Sequence, residues 1–165
     1  MPSKLSARGF IHESTYNESK EWYTPPKIFE AMKLKFDLDV ASPGPQTVPW
    51  VPAKKHITFP DSDGLTEVWK GSVFCNPPYG SDTAKWVQRF IKHGNGVMLV
   101  FARTDTLWFH NWGCKADLLC FIKSRVQFIR GDGFIGGGCG AASMLLVCGK
   151  KNVAAVANSN LGHCR

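Results

Sequence analysis

Asn76-Pro77-Pro78-Tyr79 is the stretch whose residue types and order could do chemistry. It follows the apolar run Ser72-Val73-Phe74-Cys75, which predicts a buried strand ending at the tetrapeptide. Two successive prolines stop a strand and stiffen the backbone. The Asn76 side chain and the Pro77 carbonyl are therefore expected at a fixed corner on the carboxyl edge of a sheet, where open α/β sheets bind ligands. Two oxygen acceptors at such a corner suit a planar amine whose lone pair is delocalised into a ring, above all the N6 amine of adenine. Acceptors beside its N–H bonds draw the nitrogen toward tetrahedral geometry. No general base is needed before transfer to that nitrogen from a positively charged methylsulfonium, because the proton leaves afterwards, and catalysis is then positioning and electrostatics. Tyr79 supplies an aromatic face for a base taken out of its stack, which offsets about 1–3 kcal/mol of lost stacking. Asn76, Pro77, Pro78 and Tyr79 are the candidate catalytic residues. The same corner also suits adenine in RNA, the N4 amine of cytosine or a glutamine amide.

Such a corner needs a sheet, and apolar runs alternate with helical patterns along the chain. Thr24-Pro25-Pro26 with Ile28, Phe29 and Met32 predicts a short amphipathic helix, with Thr24 as N-cap and proline in its first turn. Residues 36–41 read as a strand with an acidic residue near its end. Four prolines (Pro43, Pro45, Pro49, Pro52) exclude a helix from 42–55 and imply an extended loop. A short strand is expected at 56–59 and another at 72–75. Trp86, Val87, Phe90 and Ile91 at helical spacing predict a helix over 84–93, with Gly94 as its C-cap. Residues 97–102 and 117–123 read as strands and 106–113 as a helical patch. Residues 125–129 and 142–148, joined by the glycine-rich stretch 131–140, resemble a closing hairpin. The pattern is that of an α/β sheet covered on both faces, with an antiparallel pair at the C-terminal end. Residues 1–20 read as a flexible arm or surface strap, 21–150 as the catalytic domain, and 151–165 as a small, polar, frayed tail.

The chain of 165 residues, 44% hydrophobic, has enough apolar surface for one core but hardly the length for two domains. A formal charge of +7 favours a polyanionic partner such as nucleic acid. The six cysteines form no C-x-x-C pair and the five histidines are scattered, so no metal site is expected, and the thiols read as free and mostly buried. The longest apolar stretch is about the length of a buried strand, which predicts neither a signal peptide nor a membrane span. A soluble protein in a reducing cytoplasm is expected.

From Trp22 to about Val147 the chain resembles the phage-type (Dam-like) family of DNA N6-adenine methyltransferases. The matching pieces occur in one order. They are Trp22-Tyr23-Thr24-Pro25-Pro26 with Ile28 to Met32, then Phe36 to Ser42, then Asp63-Gly64-Leu65 with Trp69, then Phe74 to Tyr79 and Trp86-Val87. Val97-Met98-Leu99 running to Thr106 with Trp108-Phe109, Arg125 to Phe128, and Ser143-Met144-Leu145 complete the series. The resemblance implies a single-domain, Rossmann-like fold that uses S-adenosyl-L-methionine and acts on double-stranded DNA with the target adenine flipped out. If the chain is phage-encoded, it would work in the cytoplasm of a bacterial host. By the same resemblance, Tyr23, Thr24 and Pro25 lie over the methionine end of the cofactor, and Asp39 lies near its ammonium group. Asp63 accepts a hydrogen bond from its adenine, although Asp61 is close enough to be confused with it. Ala41, Ser42, Leu65 and Asn76 complete the expected cofactor set. Ala41-Ser42-Pro43-Gly44-Pro45 replaces the usual glycine-rich loop, which leaves the ribose partner open. Arg103, Arg125, Arg130, Lys54 and Lys55 are the candidate DNA-phosphate contacts. A basic DNA-binding module that has kept the fold and lost activity is the non-enzymatic alternative.

Overall fold

The computed structural model describes residues 22–131, 133, 135 and 140–165. The expected arm at 1–20 and part of the glycine-rich stretch 131–140 lie outside the described residues. The central sheet begins with β2 (Phe36–Ser42), β3 (Ala53–Thr58), β4 (Val73–Cys75) and β5 (Gly96–Phe101). It is completed by β6 (Leu118–Ile122), β8 (Ser143–Cys148) and β9 (Gly162–Cys164), in the spatial order β3-β2-β4-β5-β8-β6-β9. β3, β2, β4, β5 and β6 run one way, while β8 and β9 run against them, so the sheet is mixed and mostly parallel. A separate two-stranded ribbon pairs β1 (Trp22–Tyr23) with β7 (Ile129–Arg130). The helices are α1 (Pro26–Met32), α2 (Thr83–His93), α3 (Leu107–Asn111) and α4 (Lys150–Ala157).

Residue type explains which strands are central. Every residue of β5 and β8 is buried, as expected of strands covered on both faces, whose sequences read as continuous apolar runs. Val97, Leu99 and Phe101 enter one core with Ile28, Phe29, Phe74 and Val156, beneath α1 and α4. Met98 and Val100 enter the other with Trp86, Val87, Phe90 and Phe109, beneath α2 and α3. Trp86, Val87 and Phe90 turn one face of α2 to the sheet, and Gly94 closes the helix at φ 72°. Burying each such side chain contributes about 1.5–3 kcal/mol.

Three expectations are corrected. Thr24 does not cap α1; Pro25 occupies the N-cap position, and no side-chain cap bond forms there. Residues 125–129 do not form a hairpin with 142–148. A strand buried along its whole length needs neighbours on both sides, so β8 lies between β5 and β6, while β7 crosses to β1. Residues 151–165 are not a frayed tail: they form most of α4 and the edge strand β9. Their polar groups are used internally. Asn152 Nδ2 donates to Asn95 Oδ1 and to the Cys148 carbonyl, and Asn152 Oδ1 accepts from Ser72 Oγ. Leu119 and Arg165 exchange both backbone hydrogen bonds, at 2.7 and 2.8 Å.

From β2 the chain passes to β3 on one side and then returns to β4 on the other. The carboxyl ends of β2 and β4 therefore flank a topological switch point, the crevice where ligands bind in open α/β sheets. Between β2 and β3 the proline-rich stretch forms turns rather than a helix, as expected. The loop is shorter than 42–55, because Ser42 ends β2 and the outer strand expected at 56–59 pairs with β2 from Ala53 to Thr58.

Candidate active site

Asn76 leaves the end of β4 directly at this crevice. Its Nδ2 donates to the Trp22 carbonyl at 2.6 Å, and its Oδ1 accepts from the Tyr79 hydroxyl at 3.0 Å. The first bond ties the amide to the β1–β7 ribbon and sets which way it faces. Pro77 is buried and Pro78 exposed. The Tyr79 ring stacks on Phe101, with centroids 4.0 Å apart and planes at 23°, and both rings meet Phe128 edge-on. The corner thus joins a fixed amide to an aromatic wall. Phe101 and Phe128 were not singled out in the sequence, where they read as ordinary core residues.

The neighbouring half of the crevice is polar. Asp39 lies opposite Phe74 in the β2–β4 register and is only 3% exposed. One of its oxygens accepts from the Ala41 backbone N–H at 3.3 Å, and the other is 3.7 Å from His56 Nδ1. The same His56 nitrogen is 2.8 Å from Ser42 Oγ, which accepts from the Gly44 N–H at 3.1 Å. Asp39, Ser42 and His56 are therefore one buried cluster. His56 was absent from the expected site; only its parallel register with Asp39 reveals it. Burial, and then the Asp39 charge, push the Cys75 thiol well above its ordinary range, so this neighbour of Asn76 stays protonated.

Thr24 follows Trp22 and Tyr23, on the segment that Asn76 ties down. Its carbonyl accepts from Trp50 Nε1 at 2.9 Å, while its hydroxyl, on a residue 3% exposed, has no hydrogen-bond partner. Tyr23 and Pro25 beside it are buried. A buried orphan hydroxyl is rare, because leaving one unpaired costs about 1–3 kcal/mol. Ser143 is a second such case, 1% exposed and paired with Phe101 in the β5–β8 register.

Asp63 is exposed, and its Oδ1 accepts from the Leu65 N–H at 2.8 Å in a tight turn. Gly64 lets that turn press against β2: a Cβ there would lie 2.0 Å from the Val40 carbonyl oxygen. Asp63, Leu65, Ala41 and Ser42 thus share the end of the sheet where Asn76 emerges.

Of the candidate DNA contacts, Arg103 follows β5 and Arg125 follows β6, both exposed on the edge that carries Asn76. Arg130 pairs in register with Trp22, whose carbonyl holds the Asn76 amide. The two lysines are placed differently. Lys54 forms a 2.8 Å ion pair with Asp37 near the start of β2, away from this edge. That hydrogen bond, followed by one from the Ser72 N–H, holds the Asp37 carboxyl below its usual range. Lys55 is exposed on the outer strand β3.

A carboxylate that is nearly out of water and an unpaired donor and acceptor at Thr24 fit a ligand with an ammonium group and several polar atoms, as S-adenosylmethionine has. Among the described residues, no group of three or more His, Cys, Asp or Glu side chains could hold a metal ion, and no helix is long and apolar enough to cross a membrane. No curated protein and no solved structure matches the chain. The family model for DNA N-6-adenine-methyltransferase (Dam) matches residues 13–155, which take in both the crevice and the Asn76 corner, and the chain belongs to that family.

Proposed function

We propose that this chain transfers a methyl group from S-adenosylmethionine to the N6 amine of an adenine turned out of duplex DNA, on a Rossmann-like methyltransferase fold. One observation carries the reading: the Asn76 amide is tied through its nitrogen to Trp22, so its oxygen is the atom that can face a substrate amine. Asn76 Oδ1 and the Pro77 carbonyl accept the two N–H bonds of the amine and direct its lone pair out of the ring plane. When bound, S-adenosylmethionine supplies an electrophilic methyl group on a positively charged sulfur. Asp39 pairs with the ammonium of that cofactor, Thr24 Oγ1 gains its missing partner there, and Asp63 receives its adenine amine. Tyr79 offers its ring to the extruded base. The Tyr79 hydroxyl donates to Asn76 Oδ1, so the incoming amine must displace it. Arg103, Arg125 and Arg130 neutralise phosphates on the same edge, and Lys54 and Lys55 are left to more distant contacts.

The direct test is incubation of the protein with methyl-labelled cofactor and plasmid DNA, followed by mapping of modified bases by sequencing. Label on adenine N6 is the expected outcome. Label on cytosine, on RNA alone, or on the protein itself would refute the assignment.

A further inference from the structure

A second basic surface lies on the opposite side of the sheet from Thr24 and Asp39. α2 carries Lys85, Arg89, Lys92 and His93 and no carboxylate. Over residues 83–116, Lys85, Arg89, Lys92, Arg103 and Lys115 stand against Asp105 alone. Solvated helix faces usually interleave both signs, because i,i+4 pairs of opposite charge stabilise the helix. Here Arg89, Lys92 and Lys85, the last of which also pairs with Asp82 at 2.8 Å, line a groove of about 540 Å³ between α2 and the segment from Leu65 to Trp69, and Lys115 stands beside it at Trp112.

The groove has the features of an anion site. The Arg89 guanidinium lies over Trp69, 4.9 Å from the ring centroid, and one terminal nitrogen donates to the Glu67 carbonyl. Its Nε is buried and has no partner. Beside the groove, Lys92 and Lys115 both approach Trp112, at 5.5 and 4.7 Å from its centroid. Among the described residues, no carboxylate pairs with Arg89, Lys92 or Lys115. Like charges held together around two indoles repel one another until an anion arrives. Lys85 to Lys92 spans two turns of α2, roughly 10 Å, which is long enough for more than one phosphate. α2 follows the Asn76 loop directly in the chain, and its far end, at His93, meets the Gly71 carbonyl before β4.

We propose that this groove binds the phosphate backbone of the DNA substrate at a stretch away from the extruded base. The inference rests on the DNA-methyltransferase reading and extends its footprint to α2, Trp112 and Lys115. It is tested with a labelled 30-base-pair duplex, by anisotropy across a salt series, on the wild type, K92Q/K115Q and the charge-keeping K92R/K115R. Each phosphate contact contributes about 0.9 to the slope of log K against log salt, so the glutamine pair should lower that slope by about 1.8. The wild-type advantage over the glutamine pair should then shrink about twelvefold between 0.05 and 0.2 M salt. The arginine pair should keep the wild-type slope, and cofactor affinity should be the same in all three. A glutamine pair with the wild-type slope overturns the proposal, as does an arginine pair that loses as much as the glutamine pair, or a wild type that does not bind duplex. The two readings fail separately. Steep duplex binding without methyladenine sinks the activity and leaves the groove, whereas methylation with an unchanged slope sinks the groove alone.

Discussion

Thr24→Val is the substitution on which the cofactor site depends most clearly. Valine keeps the shape of threonine and removes only the hydroxyl. In the free protein that hydroxyl is buried and unpaired, at a cost of about 1–3 kcal/mol. Removing it should therefore stabilise the unliganded fold, and at the low end of about 1 kcal/mol the melting temperature rises by about 2–4 °C for a chain of this size. If the cofactor is the missing partner, the same change takes a hydrogen bond from the complex. The cofactor Kd should rise at least about fivefold, since 1.4 kcal/mol is tenfold. Stability and affinity then move in opposite directions, which a merely packed hydroxyl cannot produce. Thermal melts with and without saturating S-adenosylmethionine, together with calorimetric titration, read both quantities. A variant that melts lower, or one that binds the cofactor as tightly as the wild type, would refute the reasoning.

The remaining predictions concern the catalytic corner and the thiols. Tyr79→Phe keeps the stack on Phe101 but frees Asn76 Oδ1, so KM for DNA should fall by up to about fivefold, the equivalent of one hydrogen bond; a raised KM contradicts the displacement step. Asn76→Ala should lower kcat by about 10²–10³, the typical loss of one aligned electrostatic partner, with cofactor binding still measurable. Single-turnover rates and cofactor titration check the two halves, and wild-type rates would end the proposed role. Asp39→Asn keeps the shape but removes the charge and should weaken cofactor binding about tenfold or more in calorimetry; an unchanged Kd removes Asp39 from the site. Burial and the neighbouring Cys164 push the Cys120 thiol up to about 12, and the Cys75 thiol is pushed higher than usual as well. At pH 7 the exposed Cys114 should therefore react with maleimide first and Cys75 and Cys120 only on unfolding. Peptide mass spectrometry reads the order, and early labelling of Cys120 would contradict it.

The elements that could be read in the sequence are those whose local pattern and tertiary role agree. The helix predicted at 84–93 is observed as Thr83–His93 with Gly94 as C-cap, because one apolar stripe and one glycine suffice to define it. The strand before Asn76 was equally plain, since an apolar run stopped by two prolines has few alternatives. Partner choice was harder to read. Residues 125–129 have strand-like alternation, but nothing local says that Ile129 and Arg130 pair with Tyr23 and Trp22. The C-terminal tail was misread because its polar composition resembles a solvated segment. Asn152 instead spends its amide on Asn95, Cys148 and Ser72, partners far away in the chain or hidden in backbone. At the candidate site, Asn76 and Tyr79 stand out by residue type and order, and Asp39 by the family resemblance. His56, Phe101 and the Trp50 tie do not, because each depends on a contact across strands or loops.

Those ties hold the crevice together where the stretch between β2 and β3 forms turns and no helix. Each loop around the crevice is fastened by a side chain reaching a distant or turned backbone carbonyl. Asn76 reaches Trp22, Trp50 reaches Thr24, and Trp69 reaches Gly64 at 2.8 Å. Each such bond contributes only about 0.5–1.5 kcal/mol net. Their value is geometric, because a lever arm of one or two residues separates each tie from a working group. Trp22 and Thr24 belong to the same short segment, so the tie from the Asn76 amide and the tie from Trp50 act on one piece of backbone. The proline-rich loop between β2 and β3 carries Trp50 to that segment. Asn76 is itself one of the fastenings of the crevice at which it stands.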